Sequence, residues 1–142
     1  MLAKRIPEKI SAIIGLAPAP DFPKILIWDK MTSEDKKKLT KNKKITINYE
    51  DGSKNDFSYQ LIKDSFRNLT LSENIYFNGP VYLYHGMADN AVPYDLSIKI
   101  INTFKGTNDI KLLLEKDAGH RLSEVNQLKN ITNIIEEIVM KI

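Results

Sequence analysis

Three short apolar runs punctuate the chain: Lys9 to Ala17 (KISAIIGLA), Pro80 to Gly86 (PVYLYHG) and Asp109 to Lys116 (DIKLLLEK). Each is closed by Gly, Pro or charged residues, as buried strands are. In the first and third the apolar residues are consecutive rather than alternating, which predicts parallel strands covered on both faces. Between the second and third runs, Leu96, Ile100, Ile101 and Phe104 fall on one helical face, with Gly106 as the stop. After the third, Val125, Leu128, Ile131, Ile134, Ile135 and Ile138 recur every three or four residues and predict a closing helix. Ser123 is its candidate N-cap, with Glu124 in the first turn. Strand, helix, strand and helix in succession predict an α/β fold with about three parallel strands flanked by helices.

Residues 18–78 read differently. PAPDFPKILIWDK opens the stretch and the lysine-heavy SEDKKKLTKNKK follows. ITINYEDGS then predicts a strand with a turn at Asp51-Gly52, and YQLIKDSFRNLTL an amphipathic helix. The expectation is a cap-like excursion of about residues 18–78, inserted between the first two strands of a single domain spanning 1–142. Trp28, beside Ile25, Leu26 and Ile27, is expected to pack in a core or under a cap.

Composition narrows the function classes. With 142 residues, 42% hydrophobic and 27% charged, this is an ordinary globular composition, which excludes a disordered or fibrous chain. Apolar stretches of about eight residues are too short for a membrane span, which needs roughly 20. No continuous apolar segment follows Lys4 and Arg5, so no secretory signal is expected. The absence of cysteine removes disulfides, thiolate metal ligands and a thiol nucleophile, and fits a cytoplasmic location. The net charge of +3 rests on 18 lysines against 3 arginines. The run Lys36, Lys37, Lys38, Lys41, Lys43 and Lys44 has acidic neighbours in Glu34 and Asp35 and no interleaved aromatics. It therefore reads as a solvated helix face, and no nucleic-acid partner is expected.

The candidate chemistry centres on three residues. Histidine occurs only at 85, ending the second strand, and at 120, in the loop after the third. Asp89 follows His85 closely. Loops at the carboxyl ends of parallel strands are where α/β proteins hold ligands. An Asp and a His on successive strand ends can meet, the carboxylate fixing the imidazole tautomer. Local capping by Asp89 and by His120 fits the residues equally well, and Asp117 is a second carboxylate near His120. None of the eight serines (11, 33, 53, 58, 65, 72, 97 and 123) lies in a G-x-S-x-G turn, and no phosphate-binding glycine loop is present. Two separated histidines with scattered carboxylates give no metal-ligand pattern, and no cofactor is implied.

HGMADNAVPYDLS, followed about thirty residues later by DAGHRLS, resembles the acid and histidine segments of the α/β-hydrolases. RIPEKISAIIGLAPAPDF and LIWDKMTSEDKKKL resemble one branch, that of bacterial hydrolases and the mitochondrial acyl-protein thioesterase of domain-ten type. The resemblance covers nearly the whole chain. It implies that Asp89 matches the triad acid and His120 the general base, in the family order nucleophile, acid, histidine. It also implies that the serine elbow and both oxyanion donors precede Met1, so that the chain is the C-terminal half of an acyl-ester or thioester hydrolase, inactive alone. A separately encoded N-terminal half is then the expected partner. A non-catalytic interaction module, or the relic of a split gene, is the alternative.

Overall fold

The computed structural model describes residues 2–48, 52 and 54–142. In chain order its elements are α1 (Leu2–Arg5), β1 (Ile13–Leu16), α2 (Ser33–Asn42), β2 (Lys44–Asn48), β3 (Lys54–Ser58) and α3 (Tyr59–Arg67). They continue as β4 (Ile75–Phe77), β5 (Val81–Gly86), α4 (Asp95–Thr103), β6 (Phe104–Gly106), β7 (Ile110–Glu115) and α5 (Val125–Val139). The chain divides into two compact units, residues 1–19 with 71–142, and residues 20–70.

The first unit is built on a parallel sheet of order β1-β5-β7. Gly15 stands opposite Leu83, and Leu83 opposite Leu112, so the three predicted strands align in register. Every residue of β5 is buried, as a central strand between two others must be. Along β1, half-buried and exposed residues alternate, and β7 is nowhere fully buried. Coverage on both faces, expected for the first and third runs, is found in β5 instead, because β1 and β7 are the edges of this sheet. Ile13 N–H donates to Pro80 O and Ala17 N–H to Tyr84 O. The backbone groups of Ile14 and Leu16, at the alternate positions, therefore point to the free edge of β1.

Helix α4 buries Leu96, Ser97, Ile100 and Thr103. It ends one residue before Phe104, which the apolar periodicity had included. Phe104 instead starts β6, pairs with Ile75 of β4, and packs edge-on to Phe77 at 6.4 Å. A buried aromatic with a glycine of φ 98° two residues on satisfies strand pairing better than another helical turn. Helix α5 is capped by Glu124 rather than Ser123, and the Glu124 N–H donates to Gln127 Oε1 at 3.0 Å. Of the six apolar positions that set the periodicity, Ile131, Ile134 and Ile138 pack inward, whereas Val125, Leu128 and Ile135 are exposed. At about 100° per residue those six positions span half the helix circumference, too wide for one sheet face to cover.

The second unit has its own core of Ile27, Leu39 and Ile62, lined by Trp28, Met31, Ile45, Ile47, Phe57 and Tyr59. Trp28 thus packs as expected, edge-on to Phe66 at 5.9 Å. The lysine-heavy segment forms α2, started by Thr32, whose hydroxyl accepts the Asp35 N–H at 3.1 Å. Its cations find partners at home: Lys38 pairs with Glu34 at 2.8 Å, and Lys36 lies over the Trp28 ring. β2 and β3 form an antiparallel hairpin, of which only the first strand is legible in the sequence. Of the predicted turn, Gly52 has a φ of 81° and Asp51 lies outside the described residues.

Candidate active site

β5 ends at Gly86, and the chain turns directly into the loop that carries Asp89. β7 ends at Glu115, and the following loop carries His120. Parallel neighbours place both loops at one end of the sheet, and they are tied together there. Met87 N–H donates to Glu115 O at 2.8 Å and Ala88 N–H to Ala118 O at 3.0 Å. Gly86 makes this closeness possible, since a Cβ on it would stand 2.1 Å from Ala118 O and 2.8 Å from Gly119 O.

His120 Nδ1 donates to Asp89 Oδ2 at 2.8 Å. The two candidate residues therefore meet, whereas Asp117, the nearer carboxylate in sequence, makes no hydrogen bond to His120. The Asp89 side chain is fully buried, but the His120 side chain is 49% exposed. With the hydrogen on Nδ1, the lone pair of the neutral ring sits on Nε2, where it can take a proton. Burial alone pushes the Asp89 carboxyl up. The Val92 N–H, His120 and the Ala91 N–H outweigh that and hold it below the usual carboxylate range. Both backbone N–H groups reach Oδ1 at 2.8 Å. Asp89 thus organises its own loop and receives His120, so the capping and pairing readings coexist.

Neither His85 nor Ser97 has a role legible in the sequence, and both belong to this arrangement. His85 is fully buried, and its Nε2 lies 3.1 Å from Asp89 Oδ2 and 3.0 Å from Val92 O. Two acceptors at Nε2 require the hydrogen there, and Nδ1 of the neutral ring then accepts from Ser97 Oγ at 2.6 Å. Ser97, His85 and Asp89 form a hydrogen-bonded line like that of a nucleophile, base and acid. Ser97 and His85 are 0% exposed, however, so no substrate carbonyl can reach the hydroxyl. That line is scaffold. The signal for it was the spacing of four and twelve residues from His85 to Asp89 and Ser97, across the turn into α4.

The His120 loop is braced from its other side as well. Ala118 and Leu122 are buried against Ala17 and Tyr84, with Ile131 and Ile134 packed on the cluster. Ala17 (φ 42°) and Leu122 (φ 48°) both sit in the left-handed region, at a cost of order 1–3 kcal/mol each. Glu115 accepts from Tyr84 Oη, from Asn126 Nδ2 at 3.0 Å and from Asn130 Nδ2 at 3.3 Å, fastening α5 to the root of the loop. The Tyr84 hydroxyl leads in holding the Glu115 carboxyl below its ordinary range. Among the described residues no group of three or more His, Asp or Glu side chains could hold a metal ion, and no helix is long and apolar enough to cross a membrane.

The model of the prolyl oligopeptidase family matches residues 25–136. Human mitochondrial palmitoyl-protein thioesterase ABHD10 is 27% identical over 138 residues, covering 96% of this chain and 44% of the relative. Mouse alpha/beta hydrolase domain-containing protein 10 superposes with a TM-score of 0.86 at 26% identity, over 98% of this chain and 56% of that one. A crystal structure from Agrobacterium vitis S4, whose hydrolase assignment is provisional, gives 0.84 at 29% identity over 92% and 50%. The chain spans about half the length of the relatives it matches.

Proposed function

Because the chain belongs to the prolyl oligopeptidase family, within the α/β-hydrolases, we propose that it is the acid- and histidine-bearing half of a serine hydrolase. The observation that supports this reading best is the Asp89–His120 pair, buried at the carboxylate and open at the imidazole. The substrate class rests on the thioesterase relatives, and acyl esters or thioesters share the chemistry. His120 Nε2 takes the proton of a serine hydroxyl as its oxygen bonds to the acyl carbon. The same imidazole then protonates the leaving oxygen or sulfur, and water later releases the acyl group by the reverse sequence. Asp89 keeps the Nδ1 hydrogen in place and stabilises the imidazolium.

No serine of this chain is proposed as the nucleophile. The serine and its oxyanion donors are supplied by an N-terminal half, which docks along the free edge of β1. The unpaired backbone groups of Ile14 and Leu16 are a template for one more parallel strand, and both side chains are more than a third exposed.

Co-expression with the product of the reading frame immediately upstream, followed by fluorophosphonate labelling, tests the proposal. Labelling of a serine in that product, only with this chain present and lost on His120→Ala, is the expected result. Labelling of a serine in the 142-residue chain by itself overturns the missing-nucleophile argument. No labelling of either protein overturns reconstitution and favours a relic or a non-catalytic module.

A further inference from the structure

Asp89 Oδ2 lies between two imidazoles. His120 reaches it from the open side at 2.8 Å, and His85 from the buried side at 3.1 Å. The backbone donors on Oδ1 fix one end of the carboxylate but leave the other free to swing about it. The inner imidazole is the group that stops that swing, and it cannot drift itself. Ser97 of α4 holds its Nδ1 and Val92 O shares its Nε2 hydrogen.

We propose that His85 is a positioning residue, one that aims the second oxygen of Asp89 at His120 and is itself held in place by Ser97. The functional weight of this rests on the reading above, but the geometry does not. An ordinary core histidine would be satisfied by any pair of buried partners. This one spends its donor on the very oxygen that His120 uses, and so links α4 through β5 to the loop after β7. The two rings must then be opposite tautomers, hydrogen on Nε2 in His85 and on Nδ1 in His120.

Two histidines in the chain make the test direct. The full chain, labelled with 15N-histidine, is studied by NMR at alkaline pH, where ring nitrogen shifts separate the tautomers. The expected result is one ring of each kind, with a low-field Nδ1 proton on His120. His85→Phe keeps a ring but removes the donor. It is expected to speed exchange of the His120 Nδ1 proton about tenfold or more, as the loss of a hydrogen bond to a charged group would. His85→Gln, which offers an amide donor and a carbonyl acceptor, restores the slow exchange. Ser97→Ala removes the partner on Nδ1 and loosens the inner ring, so it is expected to speed exchange of the His120 Nδ1 proton by a smaller factor, a readout that stands even where His85→Phe fails to fold. An unchanged His120 proton in His85→Phe, an unchanged His120 proton in Ser97→Ala, or hydrogen on Nδ1 of His85 in the wild-type chain overturns the proposal. None of these readouts requires turnover, so a failed reconstitution and a failed positioning role are told apart.

Discussion

Gly86→Ala isolates a single contact. Gly86 ends β5 in extended backbone, so the substitution asks nothing unusual of φ and acts only through the added methyl. That methyl would stand 2.1 Å from Ala118 O and 2.5 Å from Ala118 C, both backbone atoms. Reaching even 3.0 Å requires about 0.9 Å of separation, and no side-chain rotation supplies it. The strand and the His120 loop must part, which strains the 3.0 Å bond from Ala88 N–H to Ala118 O and draws His120 from Asp89. Overpacking of this kind costs about 1–3 kcal/mol. With a urea slope of about 2 kcal/mol/M, the unfolding midpoint falls by about 0.5–1.5 M. In a reconstituted hydrolase a displacement near 1 Å at the base would lower turnover about a hundredfold. Urea unfolding followed by circular dichroism, together with the His120 Nδ1 proton, reads both effects. A variant with an unchanged midpoint and an unchanged His120 proton would refute the claim that the glycine is there for closeness.

Two further outcomes are expected. Glu137 is held at about 2 by Lys111 first, then by Tyr82 and Lys141, against an ordinary 4.5. The folded state therefore loses stability as pH falls from 4.5 through about 2, and Glu137→Gln should flatten that part of the acid limb. The difference should shrink in high salt because the group is exposed; matched slopes of midpoint against pH would contradict it. Leu39 is 0% exposed at the centre of the second core, so Leu39→Ala should cost about 2–5 kcal/mol. Fluorescence of Trp28, the chain's one tryptophan, checks it: an unfolding midpoint equal to wild type would mean that this core is not what holds Trp28.

What the sequence disclosed follows physical range. Val81 to His85 announced a buried strand because every side chain there had to be apolar or satisfied, and the Asp89–His120 meeting followed from two loops at one sheet end. Phe104 reads as helix because its periodicity continues α4, while the partner that claims it, Ile75 of β4, lies 29 residues away. β3 is not legible in the sequence because Lys54, Asn55 and Asp56 show no apolar alternation, their strand being set by pairing with β2. The outward half of α5 looked like core because composition alone does not say which half of a wide apolar stripe meets the sheet. His85 went without a role for a different reason. A histidine that only fills a core and one that braces a carboxylate are the same letter, and only the partners Ser97, Asp89 and Val92 distinguish them.

His120 is exposed, yet the residues two before and two after it, Ala118 and Leu122, are 2% and 4% exposed. A ring that meets solvent from a segment staked down on both sides has almost no conformations left to lose. The entropy of ordering this ring, of order 1–2 kcal/mol for each backbone residue fixed, is settled when this chain folds rather than when anything binds. Whatever arrives at this end of the sheet finds the imidazole already in place, so its association energy need not be diverted to bringing His120 and Asp89 together.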